Sequence, residues 1–120
     1  MKYMLLIYGN DEIWSSFTPE QMDALVRDTD AHNAALFASG ELVGAYGVAD
    51  DLNAKVVRSR NGAMVVSDGP YMEAKECIGS FSIVDCESLE RALEIAAAMP
   101  SAHHRQIEVR PLMHEAATDA

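Results

Sequence analysis

Thr18-Pro19-Glu20-Gln21 is a helix start that leaves the chain little choice. Thr18 can cap, Pro19 suits a first helical position where no N–H is needed, and Gln21 completes a capping box. Met22, Leu25, Val26, Thr29, Leu36 and Phe37 then recur at helical spacing, and Gly40 is placed to close the helix in a left-handed turn. Before this helix, Lys2 to Tyr8 is nearly continuously apolar, which suits a central strand covered on both faces. Gly9 to Ser16, carrying Trp14, reads as a loop between the two.

The rest of the chain follows the same alternation. Glu41 to Val48 reads as a second strand despite two glycines. Ala54 to Arg60 and Ala63 to Ser67 flank Asn61-Gly62, the strongest short hairpin signal, because both residues tolerate the positive φ of a tight turn. Cys77 to Asp85 is another strand, with Phe81 and Ile83 alternating with Ser80, Ser82 and Val84. Ser88 caps a second helix, in which Leu89, Ala92, Leu93, Ala96 and Met99 line one face, and Pro100 stops it. In the last strand, Arg105 to Met113, Ile107 and Val109 face one way and Glu108 and Arg110 the other. The pattern is β-α-β-β-α-β with an inserted hairpin, and it predicts an α+β sandwich with both helices on one face of an antiparallel sheet. A single domain over residues 1–113 and a frayed tail over 114–120 follow. The uncovered sheet face mixes Glu108 and Arg110 with apolar residues, so a homodimer packing sheet against sheet would bury it and enclose a cavity.

The net charge of -10 argues against nucleic acid and against anionic membrane surfaces, both of which need a basic face. No apolar run approaches the ~20 residues needed to span a bilayer. The N-terminal apolar run is too short for a secretory leader and lacks a small-residue cleavage site, so a cytoplasmic location is the expectation. Cys77 and Cys86, if they end one strand, lie roughly 30 Å apart, beyond the ~7 Å a disulfide tolerates. They should be free, and they lack metal-ligand spacing.

Candidate chemistry concentrates between Ser67 and Glu76, where Asp68, Glu73, Lys75 and Glu76 surround a Gly-Pro turn. Asp68 either fixes that turn or serves as a general base, the latter only if its surroundings raise its pKa. Lys75 is the candidate for holding an anionic group, within a run that also holds Lys55, Arg58 and Arg60. If the loop is extended, Glu73 and Lys75 share one face and Glu76 takes the other. His32 falls beside the apolar stripe of the first helix and is a core residue or a proton-transfer group. His103 and His104 lack a convincing third ligand, so no metal is expected. Arg110 would need a carboxylate such as Glu108 if its strand were central. A nucleophile elbow, a phosphate-cradling glycine loop and a flavin or nucleotide fingerprint are all missing from the sequence, so no cofactor is expected.

Asp68-Gly69-Pro70-Tyr71, followed by Glu73, Lys75, Glu76 and Gly79, resembles the YCII-related proteins, in particular the branch named for an Asp-Gly-Pro-Phe motif. Lys2-Tyr3-Met4-Leu5 and Glu108-Val109-Arg110-Pro111 resemble the ends of that branch, so the similarity runs from Met1 to about Met113. Tyr71 replaces the motif's Phe, and Ser80 replaces the second glycine of a Gly-Gly pair. The resemblance implies a ferredoxin-like fold and a dimeric α/β barrel. It also implies a His-Asp pair, with Asp68 in the matching loop and His32 about one helical turn from the corresponding histidine.

Two functions are therefore in view. One is a cofactor-independent enzyme of lyase or isomerase type acting on a small polar or anionic molecule, with Asp68 and His32 catalytic and Lys75, Glu73, Glu76, Tyr71 and Arg110 binding the substrate. The other is a non-catalytic ligand-binding or accessory protein, associated with an extracytoplasmic-function sigma factor.

Overall fold

A computed structural model describes residues 1–70 and 75–116. Its elements are β1 (Lys2–Gly9), α1 (Asp11–Ser15), α2 (Pro19–Ser39), β2 (Leu42–Gly47), β3 (Lys55–Arg60), β4 (Ala63–Asp68), β5 (Cys77–Asp85), α3 (Leu89–Ala98) and β6 (Ile107–Pro111). Short 3-10 turns cover Asp51–Asn53 and Pro100–His103. The fold is mixed α+β. Four strands form an antiparallel sheet in the order β2-β5-β1-β6, and β3 and β4 pair separately as a two-stranded ribbon.

The local signals read from the sequence are found in place. Thr18 accepts from the Gln21 N–H, and the Gln21 side chain accepts in return from the Thr18 N–H. Gly40 caps α2 at φ 81°, in the left-handed region where a Cβ would be strained. Ser88 caps α3 through the Arg91 N–H. Asn61 and Gly62 take positive φ in the β3–β4 turn. β5 spans Cys77 to Asp85 as expected, and both cysteines are free thiols. One segment differs. Gly9 to Ser16 is not all loop, because Asn10 accepts from the Ile13 N–H at 2.8 Å and starts α1, with Asp11 and Glu12 in its first turn.

Strand alternation sorts the sheet into two faces. Tyr3 and Leu5 of β1 and Val84 of β5 point toward the helices and form the core with Leu36, Leu42, Cys86, Ala92, Ile95 and Ala96. Ile107 and Val109 pack against it, while Glu108 and Arg110 turn away as expected. On the opposite face, the register places Leu6 beside Phe81, Met4 beside Ile83 and Tyr46 beside Phe81. Tyr46 stacks on Phe81 at 5.2 Å and remains 53% exposed. No helix among the described residues covers this face.

The two helices bury only part of what their spacing suggested: Leu36 of α2 and Ala92 and Ala96 of α3 are inside as expected, and other members of each stripe are not. In α3 the inward residues are Ala92, Ile95 and Ala96, whereas Leu89 and Leu93 are exposed. The small alanines let the helix approach closely, so the face that seals is one step round from the leucine stripe. In α2 only Leu36 is buried, and Val26 and Phe37 are more than half exposed. The helix meets the body near its C-terminal end and stands off the sheet along its first half.

Candidate functional site

The stand-off of α2 opens a cleft of about 520 Å³ against the inner sheet face. Met22, Leu25, Val26 and Thr29 of α2 form one wall, and Ile7, Cys77 and Gly79 of the sheet form the floor. Trp14 closes one end. Its indole seats where Gly9 and Gly79 leave room: a Cβ on Gly9 would come within 2.2 Å of the ring, and one on Gly79 within 3.2 Å. Gly79 is also the residue skipped where β1 and β5 shift register between Ile7 and Tyr8, so the bulge and the indole share one place. Phe17 meets Trp14 edge-on at 6.2 Å and continues to His104 at 5.0 Å.

The rim of the cleft is charged. Asp11, Asp30, Asp50 and Asp51 stand around it with Lys75. The backbone at Lys75 is held in place, because the Asn10 side chain donates to its carbonyl at 2.7 Å. The next residue, Glu76, is ion-paired to Arg105. Asn10 therefore does two things: it starts α1, the helix that carries Trp14, and holds the Lys75 backbone at the cleft.

A smaller hollow of about 220 Å³ adjoins the cleft, sharing Thr29, Ser80 and Ser101 with its lining, and is bordered also by His32, Asn33 and Ser82. His32 Nε2 is buried and has no hydrogen-bond partner. Desolvation pushes the ring's pKa below its ordinary 6.5, the Ile95 carbonyl works in the other direction, and Arg91 adds a small lowering. The imidazole is thus neutral near pH 7. An unsatisfied buried nitrogen costs about 1–3 kcal/mol, a cost that functional groups often carry.

The other candidate residues lie elsewhere. Asp68 ends β4, is well exposed, and forms a 2.5 Å ion pair with Lys55. It lines a hollow on the ribbon with Arg58, Arg60 and Pro70 that shares no residue with the one holding His32. The two members of the expected dyad are therefore not brought together within one chain. Glu76 is engaged with Arg105, and Arg110 sits on the edge strand, 70% exposed, with Glu108 at 4.0 Å. β6 is an edge and not a central strand, so Arg110 is not buried. Tyr71 and Glu73 lie outside the described residues. Of the described residues singled out as site candidates, Lys75 borders the cleft and His32 the adjoining hollow.

Sequence reasoning passed over Trp14 and Asn10. Asn10 followed by Asp11-Glu12 was a readable cap signal. The seating of Trp14 was not readable, because it depends on two glycines from different strands. Among the described residues, no group of three or more His, Cys, Asp or Glu is placed to hold a metal ion. No helix among them is long and apolar enough to cross a membrane.

A model of the YCII-related domain matches residues 1–116. The chain belongs to the YCII-related family. An uncharacterised protein of Rhizobium meliloti (strain 1021) is 31% identical to this YCII-related chain over 114 residues, 93% of the chain and 92% of the relative. A solved structure, the 5-chloro-2-hydroxyhydroquinone dehydrochlorinase of Burkholderia phenoliruptrix AC1100 in complex with 2,5-dihydroxybenzoquinone, superposes with a TM-score of 0.49 at 16% identity over 96% of both chains.

Proposed function

We propose that this YCII-related protein binds a compact small molecule in the cleft and moves a proton on it without a cofactor, with His32 as the proton-transfer group. The observation that carries this reading is His32, a neutral imidazole with an unpartnered Nε2, among the residues lining the hollow that adjoins the cleft. A neutral imidazole with a free lone pair accepts a proton from an acidic O–H or C–H placed against it. Lys75 at the rim is suited to a carbonyl or a single anionic group of the ligand. The rim carboxylates outnumber it, which disfavours multiply charged anions. Asp68, held by Lys55 on the ribbon, is assigned no part in the proton transfer.

Trp14, the only tryptophan of the chain, lines the cleft, so its fluorescence reports occupancy directly. A panel of small carbonyl, enol and phenolic compounds is screened by Trp14 quenching, and each hit is followed for product. Replacing His32 with Gln should lower turnover by roughly 10²-fold or more while the quenching constant changes little. Asp68→Asn should leave both near wild type. Turnover should fall on the acid side with a midpoint below the ordinary 6.5, since His32 resists protonation. A His32→Gln protein that works at the wild-type rate would sink the proposal.

A second reading is favoured by the open sheet face, where Tyr46 and Ile78 are 53% and 43% exposed. We propose that two copies pair and cover it, as the dimeric barrel arrangement expected from the sequence requires. The strand order β2-β5-β1-β6 supports the ferredoxin-like description, and Asp68-Gly69-Pro70-Tyr71 supports placement in the Asp-Gly-Pro-Phe branch. An accessory protein that docks on a sigma factor would use the same face. It would bind its partner with no product formed from any cleft ligand.

A further inference from the structure

The β3–β4 ribbon is built unlike the rest of the molecule. Every described residue of β4 and all of β3 but Val56 are exposed. A lone two-stranded hairpin is marginal in water at best. One face of this one carries Val57, Met64 and Val66, which the register brings together and which are 63%, 76% and 50% exposed. The other face carries Arg58 and Arg60 with Val65. Exposed apolar side chains on an unsupported ribbon are an aggregation hazard unless something covers them.

The dimensions of the chain say how much is left to cover. Its radius of gyration is 16.7 Å, against about 14 Å for a compact domain of this length. Its accessible surface is 8717 Å², against about 6,400 Å² for a compact monomer of this mass. The excess, of order 2,000 Å², exceeds the roughly 800 Å² each partner buries in a standard interface. Charge points to what covers it. The segment from Ala54 to Pro70 holds Lys55, Arg58 and Arg60 against the single Asp68, while the chain as a whole stands at -10. A basic arm on an acidic body is complementary to a second copy of the same body, and a two-fold axis makes that contact twice.

We propose that the β3–β4 ribbon is an arm that clasps a second copy of this chain, laying Val57, Met64 and Val66 on the partner's surface while its net positive charge draws it to the acidic body. This rests on the two-copy reading above and not on the chemistry of the cleft. Each arm springs from the cleft's own rim, between Asp51 and Lys75, so clasping also steadies the mouth of the site.

The test is sedimentation equilibrium combined with hydrogen exchange of residues 55–68 over a range of protein concentrations. Wild type is expected to dimerise, and the amides of the arm to gain protection as the dimer forms. Val57→Asp with Val66→Asp should raise the dimer Kd by roughly tenfold or more, and the core should not notice, because both residues lie on the exposed ribbon. Arg58→Glu with Arg60→Glu is the second variant; it should weaken association most at low salt. A wild type that stays monomeric at high concentration overturns the arm and the two-copy reading together. A dimer whose Kd ignores both variants and whose arm exchanges freely overturns the arm alone. Arm protection that is independent of concentration means the arm folds back on its own body, and it also overturns the proposal.

Discussion

The two long helices of this protein rest on the same sheet face and end up with opposite jobs. α3 presents Ala92, Ile95 and Ala96, three side chains that let it sink onto Tyr3, Leu5 and Val84, and it is sealed. α2 presents Met22, Leu25, Val26 and Thr29 to the cleft and is held in its second half, around His32 and Leu36, so the space beneath its first half stays open. The lesson is that apolar periodicity alone does not tell a core face from the wall of a cleft. Side-chain size and the place where the helix is anchored decide it. A helix of small inward residues anchored along its length excludes water. A longer one anchored at one end keeps an apolar groove.

The contrast can be tested by truncating one residue on each helix. Ile95→Ala should cost about 2–5 kcal/mol in urea unfolding, since Ile95 is 2% exposed within the core. Leu25→Ala should cost about 1 kcal/mol or less and act instead on the affinity of whatever quenches Trp14. If both variants lose stability equally, the cleft is a core in solution and the difference between the helices disappears.

A smaller effect probes how α3 is tied down. Arg91 forms paired hydrogen bonds of 2.8 Å to both carboxylate oxygens of Glu41, just before β2. The Arg91 guanidinium, helped by the Ser39 hydroxyl, holds the Glu41 carboxyl down at about 2 instead of 4.5. The folded state therefore binds this proton less readily than the unfolded chain, so the pair's stabilisation is present above about pH 4.5 and is lost as pH falls toward 2. Glu41→Gln should melt earlier than wild type near neutrality, and the two melting curves should converge across that acid window. Melting temperatures that remain equally far apart down to pH 2 would mean that Glu41 acts through packing and not through its charge.

The smallest effect sharpens the cleft side. Gly9→Ala pushes a methyl into the Trp14 ring, and the indole is the part able to move. The expected result is a shifted Trp14 emission and weaker ligand quenching, with little change in melting temperature. An unchanged spectrum would show that the indole does not seat over Gly9.

Much of the fold was legible because its signals are local. The box at Thr18 and Gln21, the stop at Gly40, the turn at Asn61-Gly62, the limits of β5 and the cap at Ser88 each depend on a few neighbouring residues competing for one backbone conformation. The α1 turn was missed although Asn10 announces it. Of the α3 stripe, Ala92 and Ala96 are buried as expected while Leu89 and Leu93 are exposed, because periodicity does not choose between adjoining faces of one helix.

The candidate site divides along the same line. The sequence by itself identified Lys75 as a cation in a charged loop, His32 beside an apolar stripe, and Asp68 in its Gly-Pro turn, because residue type and local pattern carry that information. Only the tertiary structure decided that Lys75 and His32 border adjoining spaces, that Asp68 lies apart on the ribbon with Lys55, and that Trp14 seats over Gly9 and Gly79. The physical reason is distance along the chain. The relations around the cleft join β1, α1, α2 and the start of β5, and a contact between elements tens of residues apart is set by how their surfaces pack, which no local spacing encodes.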